Sequence, residues 1–126
     1  MSMKILICDD EPHIRMLLEQ TLEDLEDEDV ELLIATNGQE GLDTILEERP
    51  NLVFLDVMMP KLSGFEVCEK VKKEHGLLET TVVLLTAKGQ EVDRERGLAA
   101  GADEYITKPF DPDEIYDFAC ETLGIE

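Results

Sequence analysis

Four short runs typical of strands each end in a polar side chain that could bind a metal ion or an anion. The runs cover residues 5–8, 52–55, 82–85 and 105–107. The polar residues that follow them are Asp9 and Asp10, Asp56, Thr86, and Lys108. If the runs are parallel strands, their carboxyl ends lie at one edge of a sheet. Three carboxylates, a hydroxyl and an ammonium would then meet there.

Three carboxylates that share one site repel each other unless a cation lies among them or one of them is protonated. Oxygen ligands favour a hard cation, with Mg2+ first and Mn2+ or Ca2+ as alternatives. A metal and Lys108 would together attract a dianionic phosphoryl group, and a carboxylate would be the nucleophile that forms an acyl phosphate. Thr86 could donate a hydrogen bond to a phosphoryl oxygen. The set therefore predicts metal-assisted phosphoryl transfer.

Alternating strands and helices would position these residues. Strands are predicted at residues 4–8, 32–35, 52–55, 81–85 and 104–107, and apolar residues at helical spacing follow each of them. Continuous apolar runs fit strands that helices cover on both faces. We expect an α/β fold with an open, doubly wound sheet of five parallel strands, joined by right-handed crossovers.

The helical patterns also predict which side chains face the sheet. The first helix has Pro12 in its first turn and an apolar pattern through Leu25. The third helix runs from Phe65 to about Lys73. The inward residues of the other helices are Leu42, Ile45 and Leu46; Val92, Leu98 and Ala99, before Gly101; and Ile115, Phe118, Ala119 and Leu123.

Length and composition favour one cytoplasmic domain over residues 1–126. The chain has 43% hydrophobic residues, no apolar run long enough to span a membrane, and an N-terminus that leads straight into a strand without a signal peptide. Its cysteines, Cys8, Cys68 and Cys120, are far apart and odd in number. We expect them to be reduced and in or near the core.

The chain is strongly acidic, with 31 Asp and Glu against 11 Lys and Arg and a formal net charge of -20. No Lys or Arg occurs between Arg15 and Arg49, and the acidic stretch 23–31 lies in that gap. Such a surface repels nucleic acid and anionic lipid. The stretch itself is either a solvated helix end, a docking surface for a basic partner, or an adaptation to high salt.

At this point the sequence resembles the receiver domains of two-component response regulators, of the CheY-like single-domain size. The resemblance covers nearly the whole chain and implies the flavodoxin-like strand order 2-1-3-4-5. It rests on Asp9-Asp10, on Phe54-Leu55-Asp56-Val57-Met58-Met59-Pro60 with Ser63-Gly64-Phe65, on Leu85-Thr86-Ala87, and on Gly101-Ala102-Asp103-Glu104-Tyr105 with Lys108-Pro109-Phe110. In this order and spacing the motifs are highly specific.

The resemblance implies a role for each residue of the acidic site. Asp56 would accept a phosphoryl group from a histidine of a sensor kinase or phosphotransfer protein. Asp10, Asp56 and the backbone carbonyl of Met58 would bind Mg2+ directly, with Mn2+ as a possible replacement. Asp9 would act through a water, and Lys108 would pair with the phosphoryl oxygens.

The resemblance also implies a conformational switch beside that site. Thr86 would move toward the phosphoryl group, and Tyr105 would swing inward behind it, although a half-buried core tyrosine is the plain alternative. Ala87 is small and would leave access to the acyl phosphate. A cis peptide is expected between Lys108 and Pro109.

Two positions suggest a long-lived phosphorylated form. In the family, the residues two after the phosphoacceptor and two after the switch threonine tune hydrolysis, and here they are Met58 and Lys88. Neither has a carboxylate or amide that could orient an attacking water. We expect slow self-dephosphorylation.

The expected partners are proteins rather than DNA or membranes. No Lys or Arg follows Lys108, so the basic partner that DNA-binding relatives commonly use on the last helix is missing. The chain ends at Glu126, which favours a single-domain regulator of a downstream target protein, or else a piece of a longer regulator. Kinase docking is expected at His13, Met16, Gln20 and Phe110, although a histidine at the position of His13 is more often an ordinary exposed helix residue.

Two other functions compete with a signalling switch that catalyses only its own phosphorylation and dephosphorylation. A magnesium-dependent phosphatase with an Asp nucleophile often has a second Asp two residues later, but that position is Met58 here. A flavodoxin-like cofactor carrier needs hydroxyl and backbone donors after the first strand. The sequence Asp9-Asp10-Glu11 would instead repel a phosphate unless a metal intervened.

Overall fold

Five strands and five helices alternate in the computed structural model, which describes residues 3–87 and 92–125. In chain order they are β1 Met3–Cys8, α1 Pro12–Leu22, β2 Val30–Ala35, α2 Gly38–Glu48, β3 Leu52–Asp56, α3 Gly64–Glu69, β4 Thr81–Ala87, α4 Val92–Ala99, β5 Glu104–Lys108 and α5 Pro112–Leu123. The alternation agrees with the predicted α/β class.

The strands form one parallel sheet in the order β2-β1-β3-β4-β5, which confirms the predicted topology. The chain leaves β1 toward β2 on one side and returns to β3 on the other, so the strand order reverses between β1 and β3. Cys8 lies beside Leu55, and Asp56 beside Leu85. The carboxyl ends of β1, β3 and β4 therefore meet at the switch point, where ligands bind in sheets of this kind.

Helices cover both faces of the sheet because successive side chains of each strand point to opposite sides. Leu6, Leu55 and Leu84 face α2 and α3 in one core. The other core packs α1 and α5 against side chains that include Ile7 and Phe54. All five residues of β3 are buried. Burying each large apolar side chain stabilises the fold by roughly 1.5–3 kcal/mol, so the central strands are rigid supports for the residues at their ends.

Several predicted element limits shift. The α-helical part of α1 ends at Leu22, not Leu25, and a 3-10 helix, Glu23–Glu28, keeps Leu25 buried. That segment turns back at Asp29, whose φ is 64°. β2 begins two residues earlier than expected, at Val30.

α3 also differs from a regular helix. It begins at a capping box in which Ser63 and Glu66 satisfy each other's backbone N–H groups. After Glu69 it continues as a π-helix, Lys70–Glu74, and so ends one residue beyond the predicted Lys73.

The predicted inward face of α4 is wrong. Leu98 is 57% exposed and Ala99 is exposed, whereas Gly97 and Ala100 face the core. A Cβ on Gly97 would lie 2.8 Å from Leu84 Cδ1, so only glycine lets α4 approach the sheet this closely. The prediction counted apolar side chains and therefore missed a glycine contact. The side chain of Val92 lies outside the described part of the chain.

The cysteines are free thiols, as predicted, with Cys8 and Cys68 buried and Cys120 partly buried. Burial raises the pKa of Cys8 to about 12 and that of Cys68 to about 11. Both are therefore protonated and unreactive at neutral pH. Within residues 3–87 and 92–125, the helices are too short or too polar to cross a bilayer.

Candidate functional site

Asp9 is fixed at the carboxyl end of β1. The residue is completely buried, and its backbone N–H donates to the carbonyl of Ala35 on β2. Asp9 Oδ1 accepts a hydrogen bond from the Glu11 N–H at 2.9 Å, and the Arg15 guanidinium donates to the Asp9 carbonyl at 2.8 Å. The carboxylate is therefore held in one orientation.

Asp56 occupies the corresponding position at the end of β3, and the residue is 4% exposed. The N–H of Val57 donates to the Leu85 carbonyl, and the N–H of Gly64 donates to the Val57 carbonyl. A Cβ on Gly64 would lie 2.4 Å from the Asp56 carbonyl oxygen. The first turn of α3 can pack against this loop only because that residue is glycine.

Lys108 joins β1 and β3 from the end of β5. Its Nζ lies 3.0 Å from Asp9 Oδ2, 3.2 Å from Asp56 Oδ1 and 3.3 Å from Glu11 Oε1. The lysine side chain is 15% exposed. One ammonium thus serves three carboxylates in a site that is mostly shielded from water. The peptide bond from Lys108 to Pro109 is cis.

The electrostatics of the site favour a proton or a cation on Asp56. Burial, and then the negative charge of Asp9, raise the pKa of Asp56 to about 7, although Lys108 opposes the change. Burial alone would lower the pKa of Lys108, but its hydrogen bond to Asp9 and the charges of both aspartates raise it overall. Lys108 is therefore charged at neutral pH, whereas Asp56 is balanced between its two forms.

The donor set fits a hard divalent cation. Carboxylate oxygens of Asp9, Asp10, Glu11 and Asp56 all lie within 4.8 Å of one another. Each offers oxygen, the ligand type that Mg2+ and Ca2+ prefer, and one lysine cannot neutralise all four. The acidic cluster is consistent with the divalent metal site typical of receiver domains.

Thr86 supplies a further sign of a ligand position. It is 1% exposed, and its hydroxyl has no hydrogen-bond partner among the described residues. An unpaired buried hydroxyl costs about 1–3 kcal/mol. Thr86 and Ala87 pair with Thr107 and Lys108 in the β4–β5 ladder, which places the hydroxyl on the strand beside Lys108.

The structure describes most of the remaining predicted residues. Tyr105 is half-buried beside Leu84, against the core under α3. Met58 directs its side chain into solvent and is 70% exposed. Lys88 lies outside the described residues. Among the proposed docking residues, three are exposed on α1: His13, Met16 and Gln20. The fourth, Phe110, is half-buried.

Glu11 is the site residue that sequence reasoning missed. Its carboxylate contacts Lys108 and belongs to the acidic cluster. The signal was its place directly after Asp9 and Asp10, but there it was counted only as a charge that repels phosphate. The contact between Glu11 and Lys108 could be identified only from the folded structure, because the two residues are 97 positions apart along the chain.

Comparisons with known proteins identify the family. The model of the response regulator receiver domain matches residues 5–119. A probable transcriptional regulator, ycf27, of Porphyra purpurea is 46% identical over 112 residues, which are 89% of this chain and 44% of that protein. The chain thus spans less than half the length of the curated relatives it matches.

Solved structures agree in fold over almost the entire chain. A response regulator from Chloroflexus aurantiacus has a TM-score of 0.86 at 28% identity, covering 98% of this chain and 99% of that one. The BeF3-activated receiver domain of DrrB has a TM-score of 0.84 at 33% identity, with 98% and 99% covered. The family match and the acidic cluster at the switch point lead to one conclusion: this chain belongs to the response regulator receiver domain family.

Proposed function

We propose that this chain is a phosphorylation-controlled switch in which Asp56 accepts a phosphoryl group from a histidine of a sensor kinase or phosphotransfer protein. The observation that carries the proposal is Lys108, which joins the buried Asp56 to Asp9 within a cluster of four carboxylates. The unpaired, buried hydroxyl of Thr86 on the adjacent strand supports it. A phosphoryl group on Asp56 would supply oxygens for both the ammonium and the hydroxyl.

The transfer needs no outside oxidant or reductant. A carboxylate oxygen of Asp56 forms a bond to phosphorus while the P–N bond of phosphohistidine breaks, and that electron pair returns to the imidazole nitrogen. Asp10, Asp56 and the Met58 carbonyl would hold Mg2+, with Asp9 acting through water. The bound ion would supply positive charge that favours the ionised nucleophile and offsets charge on the phosphoryl oxygens. Mn2+ could replace it. Lys108 donates hydrogen bonds to those oxygens.

The switch is proposed to follow from the new acceptors. The Thr86 hydroxyl gains a partner when it turns toward the phosphoryl group, and Tyr105 moves inward behind it. Because alanine is small, the residue type at position 87 would leave access to the acyl phosphate. The close approach of Gly97 to Leu84 and Tyr105 supports coupling to α4, because a shift in either residue changes that contact.

We propose that the phosphoryl group leaves slowly without a partner. Met58, two residues after Asp56, is exposed and has no carboxylate or amide to hold an attacking water. Lys88, two residues after Thr86, likewise has a side chain without a carboxylate or an amide. The chain would then act only on itself and turn over no outside substrate.

The proposed partners are a histidine kinase or phosphotransfer protein that docks on the start of α1 and the loop after β5, and a downstream target protein. The net charge of -20 disfavours DNA and anionic membranes as direct partners of this region. We place the reaction in the cytoplasm within one receiver domain of residues 1–126, which is consistent with its free thiols.

One experiment tests the phosphoacceptor. The protein is incubated with Mg2+ and acetyl phosphate, or with beryllofluoride because DrrB was activated with BeF3, and the intact mass or the chemical shifts are recorded. We expect one phosphoryl adduct that Asp56→Asn abolishes and that Asp117→Asn, at an exposed residue of α5, retains. An adduct that survives Asp56→Asn, or none with or without metal, would overturn the proposal.

A further inference from the structure

Lys108 has no spare hydrogen-bond donor. Its ammonium carries three N–H groups, and three carboxylate oxygens lie within 3.3 Å of Nζ, from Asp9, Asp56 and Glu11. A phosphoryl group on Asp56 needs donors for its own oxygens. One of the existing contacts must therefore break before Lys108 can bind it.

The three contacts differ in how readily they can break. The Asp9 side chain is 1% exposed and is tied to the Glu11 N–H, so moving it would leave a buried charge unpaired. Asp56 would carry the phosphoryl group on one oxygen, and its other oxygen would remain an acceptor for Lys108. Glu11 has the longest contact, and its side chain is 46% exposed, so its carboxylate can be hydrated as it leaves.

Glu11 also has a second partner at the surface. Its Oε2 lies 3.5 Å from Nε2 of His13, whose side chain is 75% exposed. The carboxylate thus lies between Lys108 inside and His13 outside. A small rotation away from Lys108 would retain a partner in the first turn of α1.

We propose that Glu11 is a displaceable positioning residue: it holds Lys108 before phosphorylation, yields that donor to the incoming phosphoryl group, and thereby slows phosphorylation. The inference rests on the proposed function and concerns the same site. The Glu11 charge acts in the same direction, because it adds negative charge to the cluster that a dianionic donor must approach. Neutralising the carboxylate weakens its hold on one N–H of Lys108 in advance.

The test compares Glu11→Gln with the wild-type chain. The rate constant of adduct formation from acetyl phosphate is measured by intact mass, at Mg2+ concentrations shown to saturate each variant. We expect Glu11→Gln to react roughly two- to fivefold faster, as the loss of one partly exposed ion pair implies. Glu11→Asp keeps the charge but shortens the side chain, so we expect an intermediate rate.

Two controls separate the contact from charge in general. Glu47→Gln removes an equal charge from an exposed position on α2, and we expect the wild-type rate. In the Lys108→Met background, Glu11→Gln should give no acceleration, because no donor remains to be released.

The outcomes are distinguishable from those of the proposed function. A Glu11→Gln rate equal to or below that of the wild type, while the adduct still forms, would overturn the inference and leave the phosphoacceptor in place. An acceleration that persists with Lys108→Met would also overturn it. No adduct on the wild-type chain would overturn the proposed function, and this inference with it.

Discussion

Lys72 is buried at the amino-terminal edge of the sheet, and Lys108 is largely buried at the carboxyl-terminal edge, with contrasting surroundings. Lys72 lies in the π-helical turn after α3, and its side chain is 5% exposed. Its Nζ lies 2.8 Å from Asp103 Oδ2 and also donates to the Thr80 carbonyl. The same Asp103 oxygen accepts the N–H of Val82. At this amino-terminal edge, one ammonium meets one carboxylate.

The carboxyl-terminal edge is unbalanced by comparison. Lys108 faces three carboxylates, a fourth lies within the same cluster, and the buried Thr86 hydroxyl has no described partner. A satisfied ion pair with a buried lysine holds β4, β5 and α3 together, whereas surplus charge and an unpaired donor are relieved by a proton or a ligand. The contrast separates an edge that holds the fold together from one prepared to bind.

The largest expected effect of the imbalance is on the pH dependence of stability. The pKa of Asp56 is about 7 in the folded chain against 3.8 ordinarily, so the folded state binds more protons between those values. The protonated Asp56 thus makes its full contribution to the free energy of unfolding below about pH 4, and this contribution is lost as the pH rises through 7. The difference between these two pKa values corresponds to roughly 4 kcal/mol of unfolding free energy.

Urea unfolding in a chelator at several pH values from 4 to 8 measures this loss. Asp56→Asn resembles the protonated form at every pH, so its stability should exceed that of the wild type by an amount that grows toward pH 7 and then levels off. Parallel stability curves for the two proteins would contradict the raised pKa of Asp56.

The amino-terminal edge, where Lys72 pairs with Asp103, is the balanced edge. There, Lys72→Met should destabilise the chain by about 3 kcal/mol. Breaking a buried pair costs about 3–5 kcal/mol, and the lower end applies because the Asp103 side chain is 41% exposed. Lys73→Met, at an exposed neighbour, should change the unfolding free energy by less than about 0.5 kcal/mol. Denaturant unfolding checks both. If the two variants changed the unfolding free energy by equal, small amounts, the distinction between the edges would be wrong. Adduct formation on Asp56 should persist in both variants.

The sequence predicted the fold and most of the unbalanced edge for a simple physical reason. Buried parallel strands must be continuous apolar runs, so the ends of these runs mark where Asp56, Thr86 and Lys108 have to lie. The strand order 2-1-3-4-5 was implied by the family resemblance and not by these runs, and the structure confirms it. Strand ends depend on local pattern and topology, and both can be read from the chain.

The balanced edge could not be predicted in this way. Lys70, Lys72 and Lys73 resemble a solvated helix face, and only the π-helical turn and the close approach of Gly101, where a Cβ would lie 3.0 Å from Lys72 Cβ, bring Lys72 inside. Glu11 was missed for a related reason. In both cases the decisive contact joins distant parts of the chain, and the residue type alone suggests exposure.

Mg2+ should stabilise the unbalanced edge and leave the other unaffected. A ligand that binds only the folded state adds about 2.7 kcal/mol at a hundredfold excess over its Kd. We expect the midpoint of thermal unfolding to rise with MgCl2, relative to NaCl of equal ionic strength. Asp10→Asn should reduce the increase, whereas Asp117→Asn should retain it. The comparison fails if Asp10→Asn responds like the wild type.

The smallest expected effect concerns how long a phosphoryl group would remain on Asp56. Met58 and Met16 are both exposed methionines, 70% and 59% respectively, but only Met58 is two residues from Asp56. Met58→Asn introduces an amide that can orient a water, so we expect several-fold faster decay, equivalent to about 1 kcal/mol in the barrier. Met16→Asn should decay like the wild type. Decay is followed by intact mass after acetyl phosphate is removed. If the phosphorylated wild type decayed rapidly and Met58→Ala decayed equally fast, other groups would orient the attacking water. The residue at position 58 would then not determine the lifetime of the phosphorylated form.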